Sequence, residues 1–363
     1  MTPAVSVVTV VSNVQRFLAE AVESILSQTF TDFEYVIVDF GSTDNSPEIA
    51  SKYAAADSRI KFHAIAPCSL TQARNVACSI AQGRYIAIMD ADDVSTSDRL
   101  ALQVEFIEKH PEIALLGALA DSIRADGQPL DFRIHRPPSE HDEIRAALED
   151  HTPFCASTVL FSREAFTAVG GYRVALSQSE DYDLWCRISE RYQCESLQRV
   201  VLKYRFHSQQ LSLRKQRDQT LCSLAVKASA KLRKEGKPDP LATAREITPE
   251  LLADMGVSIT TQQFAVAERY QNWIRIMRGA GEHSAALEVA CTMVRSDLKH
   301  AERWQVAKLH EMVAGLQWHT GHRLRSFVSF LRAVKTRPAM LGRPLKALWR
   351  RVRARTDGKE IAA

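Results

Sequence analysis

Residues 85–93 read YIAIMDADD, an apolar run that ends in three carboxylates, Asp90, Asp92 and Asp93. No polar residue interrupts the run before Met89, which predicts a strand over 84–89 buried on both faces. Ending such a strand in like charges costs desolvation and repulsion unless something neutralises them. In an extended segment residues i and i+2 face the same way, so Asp90 and Asp92 converge. Paired carboxylate oxygens suit a hard divalent ion, Mg²⁺ or Mn²⁺, which would also take oxygens from a substrate phosphate. A solvated Asp-rich turn is the other reading of these four residues alone.

Upstream, Val5–Val11 is a β-branched run, and Phe17, Leu18, Ala21, Val22, Ile25 and Leu26 follow at helical spacing. YVIV at 35–38 and residues 60–65 predict further strands, as does IALLGALA at 113–120. Ser46-Pro47 predicts a helix with Ser46 as N-cap. Residues 70–82 predict a helix. Ser95-x-x-Asp98 predicts a capping box opening a helix over 96–109. Strands and helices alternate from residue 5 to 120, and the strands are continuously apolar. That pattern predicts an α/β fold with a mostly parallel sheet flanked by helices. Ligands of such sheets sit beyond the carboxyl ends of the strands, where Asp39 and Asp90 both fall. STVLF (157–161) and RVVLKYRF (199–206) read as strands, and 180–192 as a helix with Leu184, Trp185 and Ile188 inward. From about 217 the chain reads as entirely helical, with breaks at 234–241 and 245–250.

The chain has 363 residues, 45% of them hydrophobic, and a net charge of +4. Residues 312–356 hold eleven Lys/Arg and no Asp or Glu, leaving 36 basic against 43 acidic residues elsewhere. The basic tail is therefore a separate feature. Seven cysteines without a CxxC pair argue against a disulfide framework and for a reducing compartment. The first residues show no positively charged n-region, so a signal peptide is not expected. No run approaches the roughly 18 apolar residues a membrane span needs. A soluble or peripheral protein on the cytoplasmic side follows.

Other residues carry chemistry. EDYDLW (180–185) places Glu180 and Asp181 in a first helical turn, where the dipole favours ionised carboxylates. Such a carboxylate can take a proton from an attacking hydroxyl, or it can be an ordinary acidic first turn. Arg74 and Asn75 sit near the same rim and could face a phosphate. His207 could ligate a metal.

These blocks occur in an order that resembles family 2 glycosyltransferases of the GT-A fold. They are VSVVTVVSN, YVIVDFGSTDNS, ARNVA, GRYIAIMDADD, GGY, SEDYDLWCRI and YRFH, and the likeness runs over about residues 4–212. The resemblance implies an inverting transfer from a nucleotide-diphospho-sugar to a hydroxyl acceptor. It implies that Asp39 sits in the nucleoside pocket and that Arg74 lines the nucleotide side. Asp90 and Asp92 would form the DxD element, Asp92 being the direct metal ligand, with His207 near the metal and diphosphate. Asp181 matches the catalytic base, and Glu180 neighbours the acceptor. The acceptor would be a saccharide or lipid-linked saccharide, and the product a cell-surface polysaccharide or glycolipid.

Two positions depart from the family. Val10-Val11-Ser12-Asn13 stands where Pro-x-Tyr-Asn is usual, and Asp39-Phe40-Gly41-Ser42 where Asp-Asp-Gly-Ser is usual. Both changes fall on base recognition, so a uridine donor is favoured less firmly, and Phe40 becomes a candidate contact for the base. The expected organisation is a catalytic domain over 1–216 and a helical region over 217–363. Its basic amphipathic tail, about 320–356, carries Phe327, Phe330, Leu331, Leu345, Leu348 and Trp349. Such a tail fits an anionic membrane surface; a solvated end of the helical region and a partner-binding helix are the other readings, and nucleic acid is not expected as a partner. A non-catalytic nucleotide-binding scaffold and a nucleotidyltransferase are the competing readings.

Overall fold

A computed structural model describes residues 2–131, 133, 136–207, 209–279, 281, 283–295 and 303–337. Among the described residues nine strands form one sheet: β1 Val5–Val11, β2 Phe33–Asp39, β3 Ile60–Ala64, β4 Tyr85–Ile88, β5 Val94–Ser95, β6 Ile113–Arg124, β7 Pro129–Leu130, β8 Leu160–Ser162 and β9 Gln193–Phe206. Their order is β3-β2-β1-β4-β8-β6-β9-β5, with β7 on β6. The part predicted from residues 5–89 is parallel throughout, β1 lying between β2 and β4. Beyond it β8 runs antiparallel to β4 and β6, and β5 antiparallel to β9, so the sheet is mixed.

The flanking helices are α1 Gln15–Leu26, α2 Ser46–Ala56, α3 Leu70–Ile80, α4 Arg99–Lys109, α5 His141–Leu148, α6 Arg163–Ala168 and α7 Glu180–Ser189. Leu18, Val22 and Ile25 of α1 and Leu100 and Ile107 of α4 share a core with Val5, Val7, Tyr35 and Ile37. Val8, Val36 and Val38, on the alternate positions, are equally buried. Burial on both faces explains the unbroken apolar strands.

Three local expectations are corrected. Ser46 is the first residue of α2 rather than its cap, and its hydroxyl accepts the Val14 N–H at 3.0 Å. The capping box at Ser95 does not form: Ser95 pairs in β5, and α4 starts at Arg99 with no cap bond from Asp98. The Gln28 side chain instead accepts the Leu100 N–H at 2.9 Å, so a distant residue supplies the cap. STVLF is strand only from Leu160. Ala156–Thr158 is a 3-10 turn in which the Thr158 hydroxyl bonds the Cys155 carbonyl, a local bond that competes with strand pairing.

The later helices are α8 Leu211–Arg214, α9 Gln216–Lys234, α10 Pro249–Asp254, α11 Ile259–Gly279, α12 His283–Arg295, α13 Arg303–His319 and α14 Arg323–Thr336. The chain forms two compact units, residues 1–210 with 221–257, and residues 211–220 with 258–363. In the first, Arg173 and Arg233 both grip Asp239 and so fix the 234–241 break. In the second, α11 to α14 pack in sequence order. Of the amphipathic tail, α14 is described; Leu345, Leu348 and Trp349 lie outside the described residues.

Candidate active site

Asp39 ends β2 on the rim shared with β1 and β4. Its Oδ1 accepts the N–H groups of Gly41 and Ser42, each at 3.1 Å. Its Oδ2 is buried without a hydrogen-bond partner. A buried carboxylate oxygen left in that state is costly unless a ligand donates to it. Gly41 permits the turn: its φ is +99°, and a Cβ there would stand 2.7 Å from Pro67 Cγ. Phe40 beside it is half-buried. Opposite, Asn13 holds a left-handed backbone (φ 56°), and its Oδ1 accepts the Thr43 N–H at 2.8 Å. The two loops that carry the family departures are thus tied together, with Ser12 exposed between them.

Arg74, in the second turn of α3, is buried and forked. Nη2 donates to Asp90 Oδ1 at 2.9 Å, and Nη1 to Glu180 Oε1 at 2.8 Å. Its Nε is buried without a partner. Burial opposes the guanidinium charge, but Glu180 and Asp90 outweigh it and raise its pKa. Asn75, the next residue, accepts the Tyr172 N–H and donates to the Tyr172 carbonyl. The GGY block is therefore docked on α3 beside Arg74.

Asp92 faces the end of β9. Its Oδ2 lies 2.9 Å from His207 Nε2. The His207 ring packs on Phe17, with centroids 4.6 Å apart. The pair supplies a carboxylate oxygen and an imidazole nitrogen, donor types that a divalent ion such as Mn²⁺ accepts. Among the described residues no third His, Cys, Asp or Glu completes a cluster, so an ion here would take its other oxygens from substrate or water. Asp90 stands beside the pair with Oδ1 held by Arg74.

Two residues that hold the acidic loop carry no role in the sequence reading. The Ser157 hydroxyl accepts the Asp90 N–H at 3.1 Å. Arg205 is buried, and its Nε donates to the Asp92 carbonyl at 2.8 Å. Its own N–H donates to Asp93 Oδ1 at 2.8 Å, and its Nη2 to Glu20 at 2.6 Å. Burial and the charges of Asp92 and Asp90 push the Asp93 carboxyl well above the usual range. The YRFH block was the available signal for Arg205; nothing local marks Ser157.

Glu180 and Asp181 open α7. The residue before them, Ser179, has φ 57°, a left-handed conformation unusual for serine. It turns the chain so that Glu180 is buried against Arg74. Burial raises Glu180 to about 7, with Arg74 pulling it back. Burial also raises Asp181, again against Arg74. Asp181 Oδ1 accepts the Tyr182 N–H at 2.7 Å. Behind them Asp183 is fully buried and bonded by Arg187 at 2.7 Å. Arg74 thus joins Asp90 of the acidic loop to Glu180 of α7, Asp92 meets His207, and Asp39 ends β2, which β1 alone separates from β4.

A family model described as Glycosyl transferase family 2 matches residues 6–170. EpsE of Bacillus subtilis (strain 168) is 35% identical over 211 residues, 56% of this chain and 73% of EpsE. The O-antigen biosynthesis glycosyltransferase WbnJ of Escherichia coli is 29% identical over 210 residues, 56% of this chain and 80% of WbnJ. The crystal structure of S. aureus TarS 1–349 in complex with UDP-GlcNAc has a TM-score of 0.53 at 16% identity, covering 92% of this chain and 90% of that one. At that identity the likeness is one of fold.

Proposed function

The chain belongs to glycosyl transferase family 2 and has the GT-A fold, and from that premise we propose how its rim transfers a sugar from a nucleotide-diphospho-sugar to a hydroxyl acceptor. The product is a cell-surface polysaccharide or glycolipid, a reading supported by the similarity to an O-antigen biosynthesis enzyme. The observation that carries the assignment of roles is the Arg74 fork, which couples Asp90 on the donor side to Glu180 on the acceptor side.

Asp181 is the base. With Oδ1 occupied by the Tyr182 N–H, Oδ2 takes the acceptor proton. The acceptor oxygen bonds to the anomeric carbon from the face opposite the diphosphate, the bond to the leaving phosphate oxygen breaks, and the centre inverts. Glu180 neighbours the acceptor and keeps Arg74 in place. Arg74 presents positive charge and an unpaired Nε to the diphosphate side. Asp39 Oδ2 accepts an N–H from the nucleobase, and Phe40 packs against the base. Asp92 and His207, with Asp90 beside them, would hold a divalent cation, Mg²⁺ or Mn²⁺, which would supply stabilisation of the charge on the leaving diphosphate. The acceptor is a saccharide or lipid-linked saccharide, used at the cytoplasmic face of the membrane. Among the described residues no helix is long and apolar enough to cross that membrane.

The test is nucleoside diphosphate release from a panel of nucleotide-sugars with Mn²⁺, with and without saccharide acceptors. Wild type should release diphosphate and Asp92→Asn should not. Release of pyrophosphate, or an Asp92→Asn variant at near wild-type rate, would overturn the reading.

A further inference from the structure

Helix α14 is built inside out. Its inner face carries Ser326, Ser329 and Ala333, all buried. The Ser326 hydroxyl donates to the Ala314 carbonyl of α13 at 2.7 Å, and Ser329 donates to the Gln317 side chain at 2.9 Å. Its large apolar residues point away: Leu324 is 87% exposed, Phe327 61%, Val328 47% and Leu331 48%. Their spacing of i, i+3, i+4 and i+7 makes one continuous stripe. Trp318, at the end of α13, is 59% exposed and lies under the Arg323 guanidinium, 5.3 Å away. A helix in water normally buries such a stripe; among the described residues nothing covers this one.

Charge selects the cover. Arg323 flanks one edge of the stripe, Arg325 and Arg332 the other, and Lys335 its end, and all four are exposed. No Asp or Glu occurs from residue 312 to 356. Residues 338–356 hold six basic residues and no acidic one, so their composition offers this rim no complementary charge. A second copy would bring like charge to like charge. We propose that the outer face of α14 docks on an anionic lipid bilayer, with Leu324, Phe327, Val328 and Leu331 entering the acyl boundary. The arginines reach back to the phosphate headgroups, as long basic side chains do at an interface. The inference concerns the second unit alone and stands apart from the assignment of catalytic roles.

The test is co-sedimentation of the full chain with vesicles of phosphatidylcholine alone or containing about one-third phosphatidylglycerol, a content that gives the surface its negative potential. Wild type should bind the anionic vesicles at least tenfold better, and added salt should weaken binding. Leu324→Ser/Phe327→Ser/Leu331→Ser should bind at least tenfold less. Arg323→Gln/Arg325→Gln/Arg332→Gln keeps the stripe and should lose the preference for anionic lipid, which guards against misreading a variant that folds badly. Diphosphate release without acceptor should be unchanged in both. The proposal fails if wild type ignores anionic vesicles or if the serine variant binds them as well as wild type. It also fails if wild type sediments as a dimer that the serine substitutions dissociate.

Discussion

Asp92 Oδ2 and His207 Nε2 lie 2.9 Å apart although 115 residues separate them in the chain. The contact exists because β9 delivers His207 to the rim that the Asp90–Asp93 loop occupies. It predicts that His207→Ala keeps its fold and raises the Mn²⁺ concentration needed for half-maximal donor turnover by about 10–100-fold, the scale of loss when a metal site is impaired. A metal titration that superimposes on wild type would remove His207 from the site.

Asp181→Asn should retain donor and metal binding and lose transfer by about 10²–10⁴-fold. Isothermal titration separates this outcome from a structural one, in which donor affinity would fall in step with rate.

The acidic limb of kcat/KM should be shifted upward from an ordinary aspartate's value. Burial raises Asp181, and the base works only when ionised, so the rate falls as pH drops through that raised value. Arg74 pulls Asp181 down. Arg74→Gln should therefore move the limb to higher pH, on top of any loss of rate. A limb that stays put or moves to lower pH would show that the guanidinium does not act on Asp181.

Glu180 predicts a stability signature of the opposite sense to the usual acid denaturation. Its folded value is raised from 4.5 to about 7. Between those values the folded state holds a proton that the unfolded state has lost, so this group's contribution to stability falls as pH rises. Relative to Glu180→Gln, wild type should lose stability between about pH 5 and 7, by no more than about 1.4 kcal/mol per pH unit, and its melting temperature should fall accordingly. Thermal melts of the two proteins across that window measure it, and parallel curves would refute it.

Phe40→Asp, which restores the family's usual residue, should sharpen preference for uridine diphosphate over guanosine and thymidine diphosphates. Stacking on an aromatic is worth about 1–3 kcal/mol per base and tolerates different bases. Wild type should therefore discriminate weakly. Binding titrations in which wild type already prefers one base a hundredfold would remove Phe40 from base recognition.

The sequence by itself determined the strands and helices of residues 5–89 and the rim they share. Continuous apolar runs, whose meaning depends only on neighbours, marked β1, β2 and β4, and the two-residue period placed Asp90 and Asp92 together. Asp39 was legible because it ends a strand, and Glu180 and Asp181 because they open a helix. Tertiary structure decided the partners. Arg74 meets Asp90, 16 residues away, and Glu180, 106 residues away, because α3 lies between the acidic loop and α7. Gln28 caps α4 in place of Ser95 because β5 claims Ser95 for β9. Arg205 holds the Asp92 carbonyl because β9 and the acidic loop share the rim. Phe330, legible only as part of an amphipathic tail, turns partly inward on α14 while Leu324 and Val328 turn out. Backbone propensity and side-chain period act over a few residues. Which side chains meet across the sheet depends on strand order and register, and those are fixed only when the whole core packs at once.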